Sequence, residues 1–246
     1  MSLPRYKEYK ASGVEWLGEV PGHWNLRSLR YAATIQASGL PSAYAIEMQL
    51  DGDLVRKRDT DVSRPTKWDF YRDGDKVPDD TRRHRNAVEQ AEENFPGTAR
   101  WFRSPIWPVL RGEKCDRYFI EQALRQLQPE VVEVLFEAEP DQQHPRQKAF
   151  DSRCMANLAE IGGFDALVVS VLLVALSEDI ASPALRKSAL HLYFALQPAI
   201  KKLPEVAPFY PELFSWIDER CKHWSYPSPN QRMDVVIFWQ GVEPGL

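Results

Sequence analysis

The 246-residue chain has few cysteines and no long apolar stretch. Its three cysteines, Cys115, Cys154 and Cys221, are far apart and form no C-x-x-C pair, which is typical of reduced thiols rather than of a disulfide framework. The longest apolar run, residues 164–176, has 13 residues and contains an aspartate, so it is too short to span a bilayer. The N-terminus shows no signal-peptide pattern. We therefore expect a cytoplasmic protein with no membrane partner.

Motifs that would indicate a catalytic or metal site are also missing. The five histidines are isolated from one another and from the cysteines, so they form no zinc-binding spacing. The sequence contains no P-loop, G-x-G-x-x-G or G-x-S-x-G motif. The acidic pairs at residues 59–61 and 139–141 lack the strand context and the following lysine of a nuclease site. We therefore predict no enzymatic activity, cofactor or metal, although a site assembled from distant residues would leave no such motif.

Neither sign of charge dominates the chain. Its 35 acidic and 31 basic residues give a formal net charge of -4, and the pI is about 5.8. DNA affinity depends on lysines and arginines that cluster on one face, and the average charge does not report such clusters. The hydrophobic fraction of 43% and the eight tryptophans indicate a globular protein with much buried aromatic surface.

The periodicity of the apolar residues predicts a mainly α fold. A short helix is expected at 42–50, and another from Pro78 or Asp79 to Asn94, followed by an aromatic and proline-rich connector at 101–110. Beyond residue 112 we expect a bundle of about five helices around a buried central one. The predicted bundle segments are Asp116–Leu127, Val131–Ala138, Arg146–Ile161, Phe164–Leu176, Pro183–Leu196 and Pro211–His223, and the one strand-like run is Asp234–Trp239.

The first 36 residues contain the most specific sequence motif of the chain. Residues 9–24 read Tyr-Lys-Ala-Ser-Gly-Val-Glu-Trp-Leu-Gly-Glu-Val-Pro-Gly-His-Trp. This run, within about residues 5–31, resembles the start of the specificity subunit of type I restriction–modification enzymes. The resemblance implies a protein that reads DNA and docks a modification methyltransferase subunit. Past about Gln36 the family pattern does not continue, so a leader joined to an unrelated body is the alternative interpretation.

A second resemblance lies at residues 66–78, which read Thr-Lys-Trp-Asp-Phe-Tyr-Arg-Asp-Gly-Asp-Lys-Val-Pro. The spacing W-x-x-Y-x-x-G-x-x-x-P resembles the back half of a phage-repressor-type helix-turn-helix. Trp68 and Tyr71 would anchor a short recognition helix, Gly74 would end it and Pro78 would start the next helix. The outward-facing, DNA-contacting side chains would then be Arg64, Lys67 and Arg72. Residues 51–111 hold 13 basic and 12 acidic residues, so an ordinary helix-loop-helix corner is the alternative.

The densest basic cluster follows at Thr81-Arg-Arg-His-Arg85. On a helix Arg82 and Arg85 would share a face, and with Lys76 nearby they could contact phosphates. The alternative is a solvated surface, in which the arginines pair with acidic residues of the next turns. Those acidic residues are Glu89, Glu92 and Glu93.

These patterns divide the chain into four predicted regions: a specificity-subunit-like leader (1–36), a helix-turn-helix-like region with the connector (37–111), a helical bundle (112–225) and a C-terminal tail (226–246). Our leading hypothesis is a non-enzymatic DNA-associated protein of a mobile-element or restriction locus. Region 37–111 would contact double-stranded DNA, and the bundle would bind a partner or itself. One alternative is a truncated or divergent type I specificity subunit. The other is a helical protein–protein interaction module without nucleic-acid binding.

Overall fold

The computed structural model describes residues 9–11, 19–21, 38–58, 61–72, 76, 78, 80, 86–137, 146–222, 225–228 and 231–233. These residues are mainly helical, which confirms the predicted mainly α fold. They fall into two compact units. The first lies within Met1–Ser104 and Pro204–Leu213, and the second within Pro105–Leu203 and Phe214–Leu246.

The first unit is built from short elements. Its described helices are α1 (Ala43–Leu50), α2 (Lys67–Arg72), α3 (Ala87–Asn94) and α4 (Thr98–Phe102), with a single 3-10 turn at Gly52–Leu54. Two antiparallel pairs join strands β1 (Tyr9–Ala11) with β2 (Glu19–Pro21) and β3 (Arg56–Arg58) with β4 (Asp61–Ser63). In the core of this unit Trp68 is 2% exposed and packs with Ala43, Ile46, Ala87 and Ala91.

Helix α1 begins where the sequence predicts, but α3 does not. The Ser42 hydroxyl caps α1 by accepting a hydrogen bond from the backbone N–H of Ala45 (3.1 Å). Pro78 and Asp80 are not helical, so the predicted start of the second helix at residue 78 or 79 is wrong. Asn86 caps α3 instead, because it directly precedes the apolar residues that are buried against α1 and α2.

The predicted connector at 101–110 contains the boundary between the two units, after Ser104, and most of its residues are helical. Trp101 and Phe102 close α4, and Ile106 begins α5 (Ile106–Leu110). Proline is compatible with this helix, since Pro108 lies in its first turn, where backbone N–H groups have no partner within a helix. The aromatic rings of this stretch are buried, with Trp107 only 1% exposed.

The second unit is a helical bundle around one long buried helix. Its further elements are α6 (Arg117–Arg125), α7 (Pro129–Leu135), β5 (Phe136–Glu137), β6 (Arg146–Gln147), α8 (Ser152–Ile161), α9 (Gly163–Asp179), α10 (Pro183–Ile200), α11 (Tyr210–Lys222, which begins within the first unit), β7 (Ser225–Ser228) and β8 (Gln231–Met233). Every residue from Phe164 to Ser177 is buried, which confirms the predicted central helix. Helices α5, α6, α8 and α10 pack against it. None of the described helices is both long enough and apolar enough to cross a membrane.

Of the two ends of the predicted helix Arg146–Ile161, the start differs from the prediction and the stop agrees with it. Helix α8 starts at Ser152 rather than Arg146, because the Asp151 carboxylate caps it through the backbone N–H of Cys154 (2.9 Å). Arg146 instead pairs with Glu137 in the antiparallel β5–β6 ladder. The predicted stop after α8 is correct, since Gly162 there has a φ of 62°, a conformation that favours glycine. The strand-like run at 234–239 lies outside the described residues.

Candidate functional site

The helix that the sequence singles out, α2, is pinned to the first unit by its aromatic residues. The rings of Trp68 and Tyr71 meet edge to face, with centroids 5.5 Å apart. The indole Nε1 of Trp68 donates a hydrogen bond to the Asp51 carboxylate (2.9 Å). Pro78 contacts the same apolar region as Trp68 without starting a helix. Gly74 lies outside the described residues.

The cationic side chains around α2 are held by carboxylates. Arg64 forms an ion pair with the fully buried Glu47 (2.7 Å) and another with Asp69. The hydrogen bond to Glu47 raises the pKa of the Arg64 guanidinium. Lys67 lies 2.7 Å from Asp51. Arg72 lies 3.1 Å from Asp69.

Arg64, Lys67 and Arg72, which the sequence predicts to face outward, are therefore all paired with carboxylates, although 49% of the Arg72 side chain remains exposed. Their contact with DNA stays a prediction. Glu47 and Asp51 are four residues apart, so they lie on the same side of α1 and its C-terminal end, the side that packs against α2. Their carboxylates therefore lie within hydrogen-bond distance of the Arg64 guanidinium and the Lys67 ammonium. The sequence did not indicate this pairing because the partners are 16 and 17 residues apart.

The remaining predicted DNA contacts give no open basic face among the described residues. The Lys76 ammonium lies 4.4 Å from the ring centroid of Phe70, a cation–π contact. Arg82 and Arg85 lie outside the described residues. Glu89, which the sequence offers as their partner, forms an ion pair with Arg103.

Glu92, a second proposed partner, caps helix α4. Its carboxylate accepts hydrogen bonds from the backbone N–H groups of Gly97 (2.9 Å) and Ala99 (2.7 Å). Burial raises the pKa of Glu92, but these hydrogen bonds outweigh that effect and the pKa is lowered overall. Glu89 and Glu92 therefore both have partners within the fold.

The second unit carries a feature that the sequence did not single out, an open groove between α7 and α8. The groove has a volume of about 880 Å³. The apolar part of its lining, called the floor below, consists of Val134, Ala149, the buried Cys154 and Ile161, which is 41% exposed. The charged residues that line it are five carboxylates, Glu130, Glu133, Glu137, Asp151 and Glu160, and two cations, Lys148 and Arg153. The described lining therefore has a net charge of -3.

The helical repeat explains how these side chains reach the groove. Glu130 and Glu133 are three residues apart on α7 and share one face. Arg153, Asn157 and Glu160 recur at intervals of four and three along α8 and form its groove-facing side. In the sequence, these faces of α7 and α8 look like ordinary solvated surfaces, because only tertiary packing brings them together.

The groove carboxylates differ from those around α2 in having no ion-pair partner among the described residues. All five are exposed, and none forms an ion pair with another described residue. Asp151 has a structural role as well, since it caps α8. Among the described lining residues, the groove consequently has an excess of negative charge without ion-pair partners.

The thiols do not offer nucleophilic chemistry. Burial raises the pKa of Cys154, at the groove floor, to about 11 and that of Cys221 to about 12. Burial also raises the pKa of Cys115. Because the thiolate is the nucleophile, these raised pKa values disfavour nucleophilic chemistry at the three thiols. Among the described residues, no group of three or more histidine, cysteine, aspartate or glutamate side chains could hold a metal ion.

Comparisons with known proteins add no assignment. No protein-family model matches the chain, and neither the curated proteins nor the solved structures gave a match.

Proposed function

We propose that the chain is a non-enzymatic binding protein whose second unit takes a lysine- or arginine-rich segment of a protein partner into the groove between α7 and α8. This keeps the partner-binding role predicted for the bundle. The observation that carries the proposal is the groove's set of five exposed carboxylates without described ion-pair partners. Such a surface attracts cations and repels polyanions.

The two carboxylates on α7 repel each other because they are close together on the same face of the helix. Glu130 and Glu133 lie three residues apart on one helix, an arrangement in which like charges destabilise the helix by about 0.2–0.5 kcal/mol. A cationic ligand would relieve this repulsion. Glu130 lies in the first turn of α7, where the helix dipole favours a negative charge, so the unrelieved repulsion falls mainly on Glu133.

The size and floor of the groove favour a peptide segment over a single small ion. A volume of about 880 Å³ is at the upper end of small-molecule pockets, which span about 300–1,000 Å³. Val134 and Ile161 provide apolar surface along the floor. The aliphatic stems of lysine and arginine side chains pack on such surface while their charged ends reach the carboxylates.

The DNA-binding hypothesis remains a prediction, and the described geometry supports it less well. Three of its six basic residues, Arg64, Lys67 and Arg72, are held by carboxylates. The groove would repel a phosphate backbone. The specificity-subunit alternative depends on residues 5–31, of which only two short paired strands are described.

Binding of a fluorescent peptide to the full chain tests the proposal. We expect a lysine- and leucine-containing peptide of about ten residues to bind at low salt and to weaken as salt rises, because screening acts on exposed charges. Replacement of Glu130 and Glu133 together by glutamine should weaken binding about tenfold, which corresponds to about 0.7 kcal/mol for each exposed pair lost.

Control variants and peptides show whether binding depends on the groove or only on the overall negative charge of the protein. Glu93 is exposed on α3 in the first unit and forms no described ion pair. Glu93→Gln therefore removes one negative charge outside the groove and should leave the affinity for the peptide unchanged. An acidic peptide of equal length should not bind. Absence of basic-peptide binding at low salt, or equal loss in Glu93→Gln, would contradict the proposal. Tighter binding of duplex DNA than of the peptide would favour the DNA-binding hypothesis instead.

A further inference from the structure

One residue of the groove shows where an ammonium group binds. The Lys148 Nζ donates a hydrogen bond to the backbone oxygen of Glu133 (2.7 Å), and the Lys148 backbone N–H donates to the oxygen of Leu135 (2.8 Å). Both oxygens belong to the last turn of α7, where helix carbonyls have no partner within the helix. The chain thus places its own ammonium on a helix C-terminus, which carries partial negative charge.

The second cation of the groove has no comparable contact. Arg153 is exposed on α8 and forms no hydrogen bond or ion pair with another described residue. It contributes positive charge to the groove without a described hydrogen bond to a carbonyl oxygen. The two cations therefore differ in one respect that an experiment can isolate: Lys148 fills a binding position, whereas Arg153 only changes the potential.

We infer that Lys148 is an internal competitor for the basic ligand, and that a lysine of the incoming segment displaces its ammonium from the Glu133 oxygen. This inference rests on the proposed function. The position offers a helix carbonyl that has no partner within α7, in a groove whose described lining contains five carboxylates. While Lys148 occupies it, the wild-type groove binds a basic segment more weakly than its charge would allow.

Removal of the Lys148 ammonium should tighten binding by more than removal of the Arg153 charge. In Lys148→Met the aliphatic part of the side chain remains, and we expect about a tenfold lower Kd for the lysine- and leucine-containing peptide, as for the loss of one competing hydrogen bond to a charged group. Arg153→Met removes the same charge, and we expect only about a twofold change, typical of an exposed charge without a specific partner.

The outcomes separate the inference from the proposed function. Equal gains in the two variants, or no gain in Lys148→Met while wild type binds, would overturn the competitor role and leave the binding function intact. Binding by Lys148→Met but not by wild type would support strong competition. If neither protein binds the peptide, both the proposed function and the inference fail.

A second measurement follows Lys148 in the unaltered protein. If the ligand displaces the ammonium, acetylation of Lys148 by a water-soluble acylating reagent should become faster when a lysine-containing peptide is bound, as measured by mass spectrometry. Reagent in large excess over the amines of the peptide removes competition for it. Slower acetylation of Lys148 in the complex would show that the ligand covers the lysine without displacing it, and would contradict the inference.

Discussion

The charged side chains around α2 and those of the groove are of the same chemical types but have different partners. In the first unit Arg64 lies on the buried Glu47, and Lys67 and Trp68 share Asp51. In the second unit five groove carboxylates are exposed and lack described ion-pair partners. The first set stabilises contacts between helices, whereas the second set leaves its charge available to a ligand.

This difference shows that the number of charges in a region does not reveal their role. Residues 51–111 contain 13 basic and 12 acidic side chains, and the basic ones first suggested contact with DNA. Three of the described basic side chains, Arg64, Lys67 and Arg103, form ion pairs with carboxylates from distant parts of the sequence. The groove contains fewer charges, but they are unbalanced. Partner geometry therefore distinguishes a structural charge from a functional one.

The largest expected effect tests the structural role of charge in the first unit. Asp51→Ala removes the acceptor of both Lys67 (2.7 Å) and the Trp68 indole (2.9 Å). We expect a loss of about 2–3 kcal/mol, because a buried donor and a partly buried cation lose their partner. Amide hydrogen exchange of α1–α3 measures the local free energy of opening. Glu130→Ala, in the groove, should change exchange in α7 very little. A loss as large as that of Asp51→Ala would remove the distinction between the two regions.

An intermediate effect concerns acid stability. The pKa of Glu92 is lowered in the folded protein from its ordinary value of 4.5, so its stabilisation is present above that value and is lost as pH falls through the lower, folded-state pKa. We expect α3 and α4 to lose about 1 kcal/mol over this range, as for loss of a helix cap.

Glu92→Gln provides the control for this acid-dependent loss. The variant should already be less stable at neutral pH and should show a flatter pH profile between about 5 and 2, since glutamine does not titrate there. Hydrogen exchange of the α3–α4 peptides, compared at several pH values after correction for intrinsic exchange, reports both effects. Identical profiles for wild type and Glu92→Gln would show that the cap does not carry the pH dependence.

Most of the helices could be predicted because their signals are local. The buried helix α9 is apolar on all sides, and this pattern is visible in the sequence itself. Ser42, Asp116 and Ser182 each cap the helix that the sequence places after them. The start of α3 was misplaced because residues 79–81 also offer capping side chains, and local signals do not rank one cap against another.

The groove and the ion pairs could not be predicted because they depend on tertiary packing. Glu133 and Glu160 lie on separate helices whose polar faces look solvated in the sequence. Arg64 and Lys67 meet acidic residues of another helix. A spacing rule within one helix detects neither arrangement, since it compares residues only three or four positions apart.

The smallest expected effect tests whether the groove carries unrelieved repulsion. Glu133→Gln keeps the size of the side chain and the backbone oxygen that holds Lys148, but it removes one of two like charges three residues apart on α7. We expect α7 to become more stable by about 0.3 kcal/mol at low salt, and this gain should vanish at high salt because screening already suppresses the repulsion. Hydrogen exchange of α7 amides at the two salt concentrations measures the difference. A loss of stability at low salt would mean that the Glu133 carboxylate has a stabilising partner, and the groove would then resemble the neutralised network of the first unit rather than a surface open to a cationic ligand.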